Sequence, residues 1–205
     1  MCCKQKKKPN KSNFKHYNRT ICLLIVVLLT LLWMKAPVFA KNPDSHKYSP
    51  HEISLTGKRF FGSLSQGLAQ SIEKAFQSYG MPNGYILGEE ISASFFASIK
   101  YGKGILSTKN LGMHRLFWKG PSLGVSLGGS GARCMMLVYN LPDIESIYGR
   151  YGSFSGSAFF VAGFEMAILV NKLILIVPIC SGIGMHLGMG AGYIVVTRNP
   201  TWIPL

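Results

Sequence analysis

The chain has 205 residues, of which 22 are Lys or Arg and 8 are Asp or Glu, a formal charge of +14. That length allows one ordinary domain, with or without an appendage, and enough chain to bury a core. Eight of the bases lie in the first 40 residues, leaving 14 against 8 acids, with no Lys/Arg block that could track a phosphate backbone, so nucleic acid is excluded as the expected partner.

The first 20 residues hold Lys4, Lys6, Lys7, Lys8, Lys11, Lys15 and Arg19 and no acid. They run into "ICLLIVVLLTLLWM", Ile21 to Met34, which is closed by Lys35 and Pro37. A helix needs about 20 apolar residues to span a bilayer, so this run is short, and a basic front followed by a short apolar core has the order of a secretory signal. Val38 and Ala40 occupy the two positions a signal peptidase inspects. Residues 1–40 are therefore expected to leave as a signal peptide cleaved after Ala40, the alternative being an uncleaved anchor that makes the only membrane contact.

Residues 41–48 have the composition of a flexible leader, and residues 49–205 are expected to form a single domain. Ser49, Pro50 and Glu52 together predict a helix start, with Ser49 as cap, Pro50 in the first turn and Glu52 completing a capping box. From Ile53 to Tyr79 the apolar residues follow a helical stripe ending near Gly80, and Gly57, Gly62 and Gly67 predict a kink or break within it.

After "MPNG", Met81 to Gly84, the period changes to two. "SASFFASI" (Ser92 to Ile99) has Ala93, Phe95, Ala97 and Ile99 at odd positions and serine at three of the four even ones, and "SLGVSLG" (Ser122 to Gly128) alternates Leu123, Val125 and Leu127 with Gly and Ser, the mark of half-buried strands. Further strands are expected at Lys103–Lys109, His114–Gly120 and Arg133–Leu141, and a buried hairpin across Ala158–Ile179 turns at Asn171-Lys172. Asp143 predicts the cap of a short helix. One helix beside about seven antiparallel strands predicts a mainly β fold with accessory helices, a small closed or nearly closed antiparallel β-barrel preceded by an amphipathic helix.

The stretch "SGIGMHLGMGAGY", Ser181 to Tyr193, suggests a phosphate loop by composition, yet its alternation is that of the other two stretches. A dinucleotide loop opens a helix and is followed by a strand bearing an acid, whereas "YIVVTRNPTWIPL" follows Gly192, and no Gly-Lys-Ser/Thr is present. The three stretches share one phase, which predicts that their large odd face fills the barrel while the small even face, including Gly188 and Gly190, lies under a helix or partner.

Cys134 and Cys180 remain after the signal. They could pair in an oxidising compartment, but with no CxxC or Cys/His spacing beside them two separate buried thiols are favoured. No histidine stands in a metal or nucleophile spacing, adjacent Glu89 and Glu90 would face opposite ways on a strand, and Ser155 lacks the strand-to-helix context of a nucleophile elbow. The expectation is therefore no enzyme activity, no cofactor and no metal.

The stretches "RFFGSLSQGLAQSIEKAFQSYGMPNGYILGEE", "KYGKGILSTKN", "WKGPSLG", "MMLVYNLPD", "GSAFFVAGF" and "GYIVVTRNPTW" occur in this order, and together they resemble the envelope integrity protein A family of alphaproteobacteria. The resemblance implies a periplasmic protein with a small β-barrel and accessory helices that supports cell-envelope integrity without an established enzymatic activity. The barrel also resembles, distantly, the lipid-binding SYLF domains. Two functions are thus carried forward, a non-enzymatic envelope protein acting through an unknown protein or glycan partner, and a periplasmic lipid-binding module. The candidate contact residues are Tyr101, Trp118 and Lys119 beside Pro121, and Arg198. N-terminal sequencing of the exported protein should begin at Lys41, whereas a chain that keeps Met1 and partitions with membranes would establish the anchor.

Overall fold

The computed structural model describes residues 43–63, 65–94, 98–122, 128–153, 159–161, 163–182 and 192–201. The expected cleavage after Ala40, Ser155, and residues 183–191 with Gly188 and Gly190 lie outside them. Among the described residues no helix is long and apolar enough to cross a membrane.

The helical stripe forms two helices, α1 (Pro50–Phe61) and α2 (Gln66–Tyr79). The capping box forms as expected: the Glu52 amide donates to Ser49 Oγ at 3.3 Å, and the Ser49 amide donates to Glu52 Oε2 at 2.7 Å. Lys109 holds the outer oxygen of Glu52 at 2.8 Å. The break falls at Gly62, whose φ of +87° ends α1 in a left-handed turn that only glycine adopts freely. Ser65 then caps α2. Upstream, Pro43–His46 forms a single 3-10 turn, and Tyr48 packs edge-on against Tyr85 with its amide bonded to Pro82 O at 2.8 Å.

Ten strands follow: β1 (Gly84–Ser94), β2 (Ser98–Thr108), β3 (Gly112–Ser122), β4 (Gly128–Tyr139), β5 (Gly149–Ser153), β6 (Phe159–Val161), β7 (Phe164–Met166), β8 (Leu169–Asn171), β9 (Ile174–Gly182) and β10 (Tyr193–Thr197). Eight of them close an antiparallel barrel in the order β1-β2-β3-β10-β5-β8-β9-β4 and back to β1. The expected hairpin over Ala158–Ile179 is two hairpins. β8 and β9 turn at Lys172, where φ is +54°, and β7 carries β6 onto the part of β9 that β8 does not reach. The short helix expected after Leu141 is a 3-10 turn, Glu145–Ile147, with Asp143 accepting from the Ser146 amide at 2.9 Å.

Two of the alternating stretches are not single strands. Ser94 pairs with Ser98, so the chain reverses inside "SASFFASI", and Ser122 and Gly128 likewise belong to different strands. On the described parts of β1 to β4 the phase is the opposite of that expected for these stretches. Ile86, Leu106, Leu116, Trp118, Met136 and Val138 share the interior cluster, so even positions on β1 to β4 face inward. The odd residues Ile91 and Ile99 are 59% and 36% exposed. The small face is the interior face because it must receive Trp118. A Cβ on Gly102 would lie 2.0 Å from the indole, and one on Gly88 would lie 2.7 Å from it.

A second cluster lies between the outer face of β4, β7 and β9 and the two helices, where Ile53, Leu68, Ile72 and Ala75 meet Met135, Leu137, Met166, Val177 and Ile179. Each large side chain buried there contributes about 1.5–3 kcal/mol. Gly57 allows the approach, since a Cβ would stand 3.2 Å from Leu68 and 3.5 Å from Met135.

The thiols are not separate. Cys134 and Cys180 form a disulfide with a Cα–Cα distance of 4.1 Å. The cause is register, since β4 and β9 place the two directly opposite one another on the inward face. Both cysteines should therefore resist alkylation in denaturant until a reductant is added. On the loop-entropy model for a separation of 46 residues, replacing both with Ala should cost about 4 kcal/mol in chemical denaturation. Alkylation of the denatured, unreduced protein would restore two free thiols.

Candidate functional site

Alternation along β1, β2 and β3 gives two candidate sites that share one sheet, one inside the barrel and one outside. Inside, Glu90 accepts from Trp118 Nε1 at 2.9 Å and from Lys100 Nζ at 3.3 Å, using a different oxygen for each. Glu90, Lys100 and Trp118, with Glu165, Met136 and Cys180, line a cavity of about 80 Å³. That is space for a few waters and is far below the several hundred Å³ of a typical small-molecule site. Burial disfavours the Lys100 ammonium, but the Glu90 and Glu165 carboxylates outweigh it and raise its pKa above the ordinary lysine value.

Outside, the side chains of β1 to β3 form transverse rows. Ile91, Tyr101 and Lys119 stand side by side in one row, and Glu89, Lys103 and Phe117 in the next. Pro200 and Thr201, following β10, complete the wall of a groove of about 360 Å³. The helices cover a different part of the barrel, packing against β4, β7 and β9.

Of the four residues singled out from the sequence, Tyr101 and Lys119 are cross-strand neighbours in this groove. Trp118 lines both sites, but at 2% exposure its indole belongs to the interior. Arg198 is elsewhere. Its guanidinium bonds the Glu145 carboxylate and lies 5.1 Å from the centre of the Tyr148 ring. Sequence reasoning missed Ile91, Lys103 and Phe117 outside, and the Glu90–Lys100–Glu165 cluster inside. The separation of Glu89 from Glu90 onto opposite faces was the signal available, with Glu89 exposed and Glu90 buried.

The chemistry of the interior is that of a satisfied polar core. Glu90 is held by two donors, and His114 Nε2 lies 2.6 Å from the Leu111 carbonyl in a local contact at the β2–β3 turn. Among the described residues no group of three or more His, Cys, Asp or Glu could hold a metal ion.

The sequence profile of envelope integrity protein A matches residues 46–205. The chain belongs to the envelope integrity protein A family. A crystal structure described as a β-barrel-like, uncharacterized protein from Brucella abortus is similar to it, with 51% sequence identity and a TM-score of 0.69. The match covers 78% of this chain and all of the Brucella chain. No functionally curated protein matches. Membership gives the protein an envelope-related role, and the closed barrel with its preceding helices is the architecture that the resemblance in sequence implied.

The raised pKa of Lys100 sets the sign of a pH effect. Stability from the ion pair is complete below the unfolded lysine value of about 10.4 and is lost as pH rises through the folded value. Lys100→Met should cost about 3 kcal/mol at neutral pH, the lower end for a buried pair because Lys100 keeps 20% exposure. The same variant should flatten the alkaline limb of a stability–pH profile. Alkaline loss would remain from Tyr139 and Tyr151, whose phenols burial holds neutral above their ordinary pKa.

Proposed function

We propose that the protein is a non-enzymatic component of the periplasm that supports envelope integrity by holding a protein or glycan partner on the outer groove of β1, β2 and β3. The observation that carries this reading is the contrast between the two faces of one sheet. The inner face is filled around Trp118 and leaves about 80 Å³, while the outer face offers a groove of about 360 Å³ lined by Ile91, Tyr101, Lys103 and Phe117. A lipid-binding module of the SYLF kind would need an acyl-chain cavity of several hundred Å³, against about 80 Å³ beside Trp118. The family's envelope-related role and the basic and apolar order of residues 1–40 support the periplasmic location.

A photo-crosslinking residue in place of Tyr101, activated in intact cells, should capture an envelope component, while the same residue in place of Leu173, at the β8–β9 turn, should not. Equal capture at both positions, or none at Tyr101 from a correctly folded protein, would remove the groove from the function.

A further inference from the structure

The course of the chain after β10 points to an occupant of the outer groove. Thr197 ends β10 opposite Phe117, and its hydroxyl donates to the Asn199 carbonyl at 2.9 Å. The chain turns there, and Pro200 and Thr201 stand in the wall of the groove. The next four residues of the sequence, which lie outside the described residues, are Trp202, Ile203, Pro204 and Leu205. Thr201 therefore delivers an uncharged apolar segment directly to the groove. Reach is sufficient, because four extended residues span at most about 13–14 Å, whereas β1 lies two strand spacings from β3, about 9–10 Å.

The floor calls for a cover of that kind. Lys103 stands opposite Glu89, so this row sets a cation beside an anion and selects no charged occupant. In the next row Ile91 is 59% exposed, with Tyr101 opposite it and Phe117 diagonal to Tyr101. Such apolar surface is stabilised by apolar cover. Lys119 marks where cover already begins, since it lies on the outward face between Tyr101 and Val195 yet is only 8% exposed. A lysine stays so buried on a sheet face only where further chain lies over it, and the chain that reaches this groove is the one that follows β10. Tethering favours the same occupant, because a segment joined to the wall by its own backbone acts at an effective concentration in the millimolar range.

We infer that residues 202–205 fold back over β3 and β2, with Trp202 entering the space between Ile91, Tyr101 and Phe117, and that a partner docks by displacing them. The second half of this inference rests on the docking reading above. The segment then sets a threshold for docking, since a groove that is open a tenth of the time binds its partner about tenfold more weakly than one that is always open.

The first arm of the test uses NMR on the purified exported protein. Nuclear Overhauser contacts should join the Trp202 indole, identified by its loss in Trp202→Asp, to the Ile91 methyls and the Phe117 ring, with an intensity independent of protein concentration. An indole without contacts to the groove would overturn the inference. Contacts seen only between differently labelled copies would also overturn it, by placing the segment on a second copy. The second arm uses intact cells. With the photo-crosslinking residue at Tyr101, Trp202→Asp should raise capture of the envelope component roughly threefold or more, while an unmoved Trp118 indole resonance reports an intact barrel. Unchanged or weaker capture in that variant would remove the displacement step. Contacts without capture in either background would keep the segment in the groove and remove the docking function, whereas capture without contacts would keep the docking function and remove the segment.

Discussion

The seating of Trp118 on a bed of glycine organises this barrel. An indole directed into the centre of eight strands needs neighbours without side chains, and Gly88 and Gly102 provide them on β1 and β2. A buried indole also needs an acceptor, which Glu90 supplies. A carboxylate so placed must be compensated in turn, and Lys100 is drawn inward to do so. One large side chain thus accounts for the small inner face of the first strands and for the charged cluster beneath the cavity. It also turns the odd-numbered residues outward, where they build the groove.

The same alternation links core to function through geometry alone. Every residue that packs the interior on β2 and β3 fixes its neighbour on the outside, because strand side chains alternate strictly. Trp118 inward sets Phe117 and Lys119 outward, and Gly102 inward sets Tyr101 and Lys103 outward. A one-residue slip of β2 against β3 would place Tyr101 on the tryptophan and expose glycine in the groove. Packing of the core is therefore what holds the outward rows of the groove in register.

Much of the fold was legible where local chemistry decides it. Ser49, Pro50 and Glu52 announced α1, the change of period after Met81 announced the sheet, and Asn171-Lys172 announced the β8–β9 turn. Legibility failed where the outcome depends on partners distant in sequence. The reversal between Ser94 and Ser98 carries no Gly, Pro or Asn, so the serines in phase on either side of it concealed two strands. Which face is interior depends on Trp118, which is 16 residues from Gly102 in sequence and opposite it in space. The Cys134–Cys180 bond required the register of β4 against β9, which composition does not encode. Of the candidate residues, Tyr101 and Lys119 meet in the groove because the β2–β3 register places them directly opposite one another. Arg198 is held elsewhere by the Glu145 carboxylate and the Tyr148 ring.

The order of pairing has a consequence for the chain during its synthesis. β1 to β4 form a four-stranded sheet by themselves, in the order β4-β1-β2-β3, and its two edges are β4 and β3. β9 covers the first of these and β10 the second, and both lie in the final third of the sequence. Until that final third has emerged, a nascent chain exposes two long unpaired edges, each rich in apolar residues and open to strand addition by another copy. The C-terminal strands therefore act as an internal guard against intermolecular pairing. Premature termination anywhere between β4 and β9 leaves a product whose hazard is aggregation rather than simple loss of activity.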